Sequence, residues 1–263
     1  MRDTKGNAAT LTFTPPNTSN VKVNYPSLSL DFTYDADGRY TFNGTAYNDL
    51  TSFLTATGGS FTRASIGTYF DSTGTLQTAA SGTPRFDYDP ITHAAKGLLI
   101  EESRTNLQKY SSDFSNAVWA KTRSSVTANA SLAPDGTSTA SILHEDTSAS
   151  TTHALQGPVV TFSASSYTVT AFLKTKERSW ALLRLGASAD NINAYFNIQT
   201  GTVGAKGAGA TSATITPLSN GWYRCSVTGT SSAVSDYSIS IFSASANNGV
   251  SYTGDGVSGI YVW

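Results

Sequence analysis

Apolar positions alternate with polar ones in short runs along most of the chain, and each run is closed by Gly, Pro, Asn, Asp or Ser. Period-two alternation over four to eight residues predicts half-buried strands joined by tight turns. Thr10-Leu11-Thr12-Phe13-Thr14 alternates until Pro15-Pro16-Asn17, and Ser27 to Phe32 alternates again before Asp35-Ala36-Asp37-Gly38, a turn leading into Arg39 to Phe42. Asp49 to Thr57 is the helix candidate of this part, capped by Asp49 and followed by a Gly58-Gly59 hinge. From Phe61 to about residue 106 the turns are Ser72-Thr73-Gly74, Ser81-Gly82-Thr83-Pro84 and Asp89-Pro90. Between them lie Thr68 to Phe70, Arg85 to Tyr88 and Gly97 to Ile100, too short and scattered to predict a core of their own.

From about residue 107 the strands lengthen and become evenly spaced. Asp113 to Trp119 opens the series, and Ser125–Asn129, Ser141–His144, Thr152–Gln156, Tyr167–Lys174, Ser179–Leu185 and Ala194–Ile198 continue it. Ala213–Thr216, Trp222–Thr228, Tyr237–Ser243 and Ile260–Trp263 complete it. Strands at this density predict an all-β fold, a two-sheet sandwich or jelly roll. Three segments are expected: an arm over residues 1–60, a hairpin-rich connection over 61–106 and a sandwich over 107–263.

Alternation also sorts faces. Ala181, Leu183 and Leu185 form a wholly apolar face that belongs to the core, as do Ala194, Phe196 and Ile198, and Tyr237, Ile239 and Ile241 form a further inward stripe. Trp180, Arg184, Tyr195 and Asn197 then fall on the outer sheet face, with Arg184 and Tyr195 near neighbours across a hairpin. Flat rings beside fixed polar groups suit sugars, whose C–H faces stack while their hydroxyls bond. The competing reading, which the pattern favours because a site must be argued from its own geometry and not from the fold, is that loops or a neighbouring subunit cover these side chains. Tyr223, Cys225 and Val227 point one way and Trp222, Arg224 and Ser226 the other, so Cys225 reads as a buried, inert thiol. His153 with Gln156 could join a ligand groove, or be isolated polar strand residues.

The chain has 263 residues, enough for a substantial core, but only 13% are charged and the net charge is −1. A basic stripe for nucleic acid is missing, no apolar run nears the ~20 residues of a membrane helix, and no secretion signal follows Met1. One cysteine excludes an internal disulfide and a cysteine-built zinc site. Asp35-Ala36-Asp37-Gly38 resembles the opening of a calcium loop, but the fifth position would be Arg39 and the twelfth Ala46, so a turn is expected. His93, His144 and His153 lack metal-ligand spacing, and no nucleophile elbow or phosphate loop occurs. Glu101 and Glu102 are adjacent and would point to opposite faces of a strand, which rules out a convergent acid pair. The Asn-x-Ser/Thr matches at Asn17, Asn43 and Asn129 are the chance yield of a Ser/Thr-rich chain. Neither a catalytic residue, a metal site nor a cofactor is expected.

The order of several phrases carries a resemblance. FTRAS, TYFDSTGTLQTA, PRFDYDP, GLLIEESRTNL and DFSNAVW are followed by APDGTSTA, SYTVTAFLKTKERSW, YFNIQTGTVG, ITPLSNGWYRCSVTGT and SYTGDGVSGIYVW. Over residues 61 to 263 this sequence resembles bacteriophage head-spike fibre and tail-fibre proteins, which often carry a carbohydrate-binding-like domain. The family pattern runs on past Tyr-Val-Trp with a Gly-Ala-Gln-Leu-Glu phrase, so a further strand or domain is expected after Trp263. The resemblance implies a virion structural protein, assembled in the bacterial cytoplasm and anchored to capsid or tail proteins through its N-terminal region. It implies a homo-oligomer, commonly a trimer, and a host-surface glycan as the partner of the sandwich. The alternative from the residues alone is a carbohydrate-binding module of a secreted glycan-degrading enzyme. A polysaccharide depolymerase would need paired carboxylates in a groove.

Overall fold

The computed structural model describes residues 28–36, 39–186, 191–231 and 235–263, with the backbone alone for 235–237. The alternating run at Thr10–Thr14, the Asp37-Gly38 half of the first turn and the direction of Tyr237 lie outside the described residues and side chains. Two compact units are present, Met1–Ser103 and Arg104–Trp263.

In the first unit β1 (Leu28–Leu30), β2 (Tyr40–Phe42) and β3 (Thr45–Tyr47) form an antiparallel sheet. Then come α1 (Leu50–Thr57), a hairpin of β4 (Gly67–Phe70) with β5 (Leu76–Ala79), and a hairpin of β6 (Phe86–Tyr88) with β7 (Ala95–Leu98). The helix starts where Asp49 accepts from Ser52 N at 2.7 Å and ends at Gly58, whose φ of 69° is a left-handed cap that glycine adopts without strain. Asp35 accepts from Leu50 N at 2.8 Å, so this carboxylate of the calcium-like run is bonded to the helix start. Removing the Asp49 cap leaves orphan N–H groups at the first turn. Asp49→Ala should therefore cost this unit about 1 kcal/mol in urea unfolding.

Short scattered runs suggested that this region lacks a core; the structure corrects that. Tyr40, Leu50, Phe53, Leu54 and Phe86 are buried together, with Phe61, Tyr88 and Leu98 packed against them. The cluster draws on both sides of residue 60, so the described part of the arm, from residue 28 on, shares one core with the connection expected from sequence. Arg85, only 4% exposed, ties the hairpins by donating Nη1 to Thr68 O at 2.8 Å and to Glu101 Oε2 at 2.7 Å. Glu101 is thereby an ion-pair partner.

The second unit contains β8 (Ala120–Thr122), β9 (Ser124–Ser131), β10 (Ala140–Glu145), β11 (Thr151–Gln156) and β12 (Val160–Phe162). Next are β13 (Ser166–Thr175), β14 (Trp180–Leu185), β15 (Ile192–Asn197), β16 (Thr202–Lys206) and β17 (Ala210–Pro217). The chain ends with β18 (Tyr223–Thr230), β19 (Ser235–Tyr237), β20 (Ile239–Ala244), β21 (Ser251–Tyr252) and β22 (Gly259–Val262). One sheet runs β17-β18-β13-β22-β10-β9; the other runs β16-β15-β14-β20-β11-β21, with β8 also on β11. Eight of these strands give β10-β22-β13-β18 on one side and β11-β20-β14-β15 on the other, the alternation between sheets that defines a jelly roll. The fold is all-β, a two-sheet sandwich.

Between the sheets lies one core that includes Leu143, Leu155, Leu173, Leu183, Phe196 and Ile241. Outside the six-stranded sheet, Thr168 meets Thr228 and Thr170 meets Ser226, each hydroxyl pair at 2.8 Å. Cross-strand hydroxyl ladders of this kind are where part of the Ser/Thr excess is placed. Asp113 to Trp119 forms turns instead of the expected opening strand. Its apolar residues plug the core edge, Phe114 and Trp119 meeting edge-on at 5.0 Å. Trp222, expected on an outward face, is fully buried: it sits in the turn before β18, and its Nε1 donates to Leu132 O at 3.0 Å. Cys225 is buried in the core, and that burial pushes its thiol well above the ordinary cysteine range.

Candidate ligand-binding face

The outer face of the seven-stranded sheet is set by three registers. On β14, Trp180, Leu182 and Arg184 alternate away from the core; they stand opposite Asn197, Tyr195 and Asn193 of β15 and Ala244, Phe242 and Ser240 of β20. Further along, Ala154 and Gln156 of β11 stand opposite Phe242 and Ser240. Three rows result. The middle row is an apolar floor in which Ala154, Leu182, Tyr195 and Phe242 pack, flanked by Ala244, Trp180, Ala205 and Val250.

At one end lies Trp180, partly exposed. Its ring reaches across β15 to β16: a Cβ added at Gly204 would come within 2.7 Å of the indole Cζ3 and 2.3 Å of Asn247 Oδ1. Glycine is required there by the close approach. Asn247 is fixed in turn by Ala205 N, which donates to its Oδ1 at 2.8 Å. The indole N–H sets this tryptophan apart. Trp119, Trp222 and Trp263 donate theirs to Tyr110 O, Leu132 O and Thr139 Oγ1, each at 3.0 Å. The Trp180 N–H has no acceptor among the described residues and is not sealed from solvent.

At the other end, the Arg184 guanidinium lies 4.6 Å above the Phe242 ring, a cation–π contact. Its Nε is buried without a hydrogen-bond partner, and burial lowers the guanidinium pKa, opposed by the field of Tyr195. Beside it in register, Ser240 is 1% exposed and its Oγ is likewise unpartnered.

Two of the four expected patch residues are placed differently from the sequence reading. Tyr195 does lie on the outer side, but at 6% exposure it is floor: the turn after β20 brings Val250 over it, and burial raises its phenol pKa. Its direct partner is Leu182, leaving Arg184 diagonal to it. Asn197 faces outward opposite Trp180, but its Oδ1 accepts from Gln199 N and Thr200 N, both at 3.0 Å, so its carboxamide oxygen is committed to the turn into β16. Trp180 and Arg184 remain as accessible chemistry, about 13 Å apart along one strand at roughly 3.3 Å per residue. His153 and Gln156 cannot share a groove, because they sit on opposite faces of β11. His153 is fully buried with Nδ1 2.7 Å from Arg123 O, while Gln156 Nε2 donates to Ser238 Oγ at 2.7 Å.

A second polar constellation, not foreseen from sequence, closes one end of the sandwich. Glu145, at the end of β10 and 2% exposed, accepts from Arg178 Nε at 2.8 Å, from Arg178 Nη2, from Tyr252 Oη at 2.7 Å and from Asp255 N at 2.9 Å. Arg178 also lies over the Tyr252 ring. Desolvation pushes the Glu145 pKa up, but these donors outweigh it and hold the carboxyl below its usual range. A carboxylate held ionised with both oxygens occupied clamps loops together; it is not free to exchange a proton. Among the described residues, no group of three His, Cys, Asp or Glu side chains is placed to hold a metal.

Comparison with known proteins gives no matching family model and no matching curated protein.

Proposed function

We propose that this chain is a non-enzymatic structural protein of a bacteriophage virion, a head-fibre, spike or tail-fibre component, whose jelly roll binds host-surface glycans through the outer face of its seven-stranded sheet. The single observation that supports glycan binding most is Trp180. It presents a partly exposed ring and an N–H with no acceptor among the described residues, where the other three tryptophans have spent theirs on the protein. A ring to stack on and a donor fixed beside it are what a pyranose requires. The virion part rests on the ordered phrases from FTRAS to SYTGDGVSGIYVW and on their resemblance to phage fibre and spike proteins. In this reading the partners are capsid or tail proteins and further copies of the chain, with a trimer as the assembly. Mass spectrometry of purified virions of the encoding phage tests the location: the chain should be present at structural stoichiometry, and its absence from particles would end the virion reading.

A further inference from the structure

We infer that the glycan taken by this face is acidic, a saccharide chain whose carboxylate pairs with Arg184 while a neighbouring ring stacks on Trp180. The inference rests on the glycan reading and adds a substrate class to it. Its basis is a cation that meets no counter-ion among the described residues. Three other arginines, Arg39, Arg85 and Arg178, meet Asp31, Glu101 and Glu145, and Arg63 spends its guanidinium on the backbone carbonyls of Ala80 and Thr83. The Arg184 guanidinium has no carboxylate within reach and no hydrogen bond among the described residues, although its Nε is sealed from water. A partly desolvated charge left unpaired is a cost that a bound anion removes.

The character of the anion follows from the count of charges. One guanidinium matches a monoanionic carboxylate, which accepts the parallel N–H bonds of its fork. A phosphate near −2 calls for more cations than this row holds. The apolar floor of Leu182, Tyr195 and Phe242 separates Arg184 from Trp180. Both ends are therefore engaged by an oligosaccharide and not by a single sugar.

The test is binding of the full chain to immobilised oligosaccharides in matched sets: uronic-acid-containing, carboxyl-reduced and phosphate-substituted. The wild type should prefer the uronic-acid set over its reduced counterpart by at least about tenfold, which is 1.4 kcal/mol. That preference should shrink as ionic strength rises from about 0.05 to about 0.5 M. Arg184→Gln should erase the preference while leaving the weaker binding to the reduced set in place, with thermal unfolding measured as the control for folding. If the variant does not fold, the salt dependence of the wild type carries the decision. Equal binding to acidic and reduced sets would overturn the acidic assignment and leave the glycan reading standing. A higher rank for the phosphate set would overturn the carboxylate. No binding to any set would remove the glycan reading, and this inference with it.

Discussion

Glu145→Ala is expected to destabilise the sandwich by about 1.5–3 kcal/mol, the loss typical when hydrogen bonds to a buried charged group are removed. The loss is no larger because Asp255 Oδ2, 3.6 Å from Arg178 Nη2, still faces the guanidinium. Four donors converge on this carboxylate, and they come from the loop before β14, from Tyr252 and from Asp255. Denaturant unfolding of wild type and variant measures the difference; a loss below about 1 kcal/mol would mean that the cluster relaxes around the gap. The pH dependence has a definite sign. Glu145 is held below its ordinary value as described, and Asp255 is held below its own by Ser258 Oγ and by the backbone N–H groups of Ser258 and Val257. A depressed carboxyl adds stability that is fully present above its unfolded pKa, near 4.5 for Glu145 and 3.8 for Asp255. That contribution is lost as pH falls through the folded value. The wild type should therefore weaken on acidification below about pH 4.5, and Glu145→Ala should show a flatter acid limb.

The second large effect is on binding. Trp180→Ala should weaken glycan binding by about thirtyfold, the factor that a hot-spot loss of about 2 kcal/mol implies. Because the ring also rests on Gly204 and joins the floor cluster, the same substitution should cost about 1–2 kcal/mol of stability. Trp180→Phe separates the two roles, keeping an aromatic body over Gly204 and deleting the N–H donor. It should bind measurably more weakly with nearly wild-type unfolding; equal binding by this variant would assign the donor no part.

Strand alternation makes much of the sandwich legible in the sequence. The division of β14 and β15 into core and outer faces follows from Ala181-Leu183-Leu185 and Ala194-Phe196-Ile198, because a sheet buried on one side leaves only one assignment of a wholly apolar stripe. Exposure was not legible in the same way. Facing away from the core is a property of the strand, whereas Tyr195 is covered by a turn some fifty residues later in the chain, at Val250. The local signal for a covered outer face was Gly204, where the absence of a side chain admits the Trp180 ring. The register between Arg184 and Tyr195 depended on the length of the connection between Leu185 and Ile192, which face composition does not encode.

The Glu145–Arg178 clamp escaped for a related reason. Its members lie at residues 145, 178, 252 and 255, in loops and strand ends without periodicity, and only the closing of the sandwich brings them together. The core of the first unit is not legible in the sequence because its apolar residues come in threes and fours. Tyr40, Phe53 and Phe86 belong to three different elements, and no single run announces the core they build.

Intrinsic fluorescence during titration with host-surface polysaccharide tests most directly the proposal that the outer face around Trp180 receives a host glycan. The indoles of Trp119, Trp222 and Trp263 are already bonded within the protein, so a ligand on this face should be reported by Trp180. Emission should change saturably with added polysaccharide, and the change should disappear in Trp180→Phe. Saturable binding with an unchanged signal in that variant, or no binding by the wild type, would contradict it.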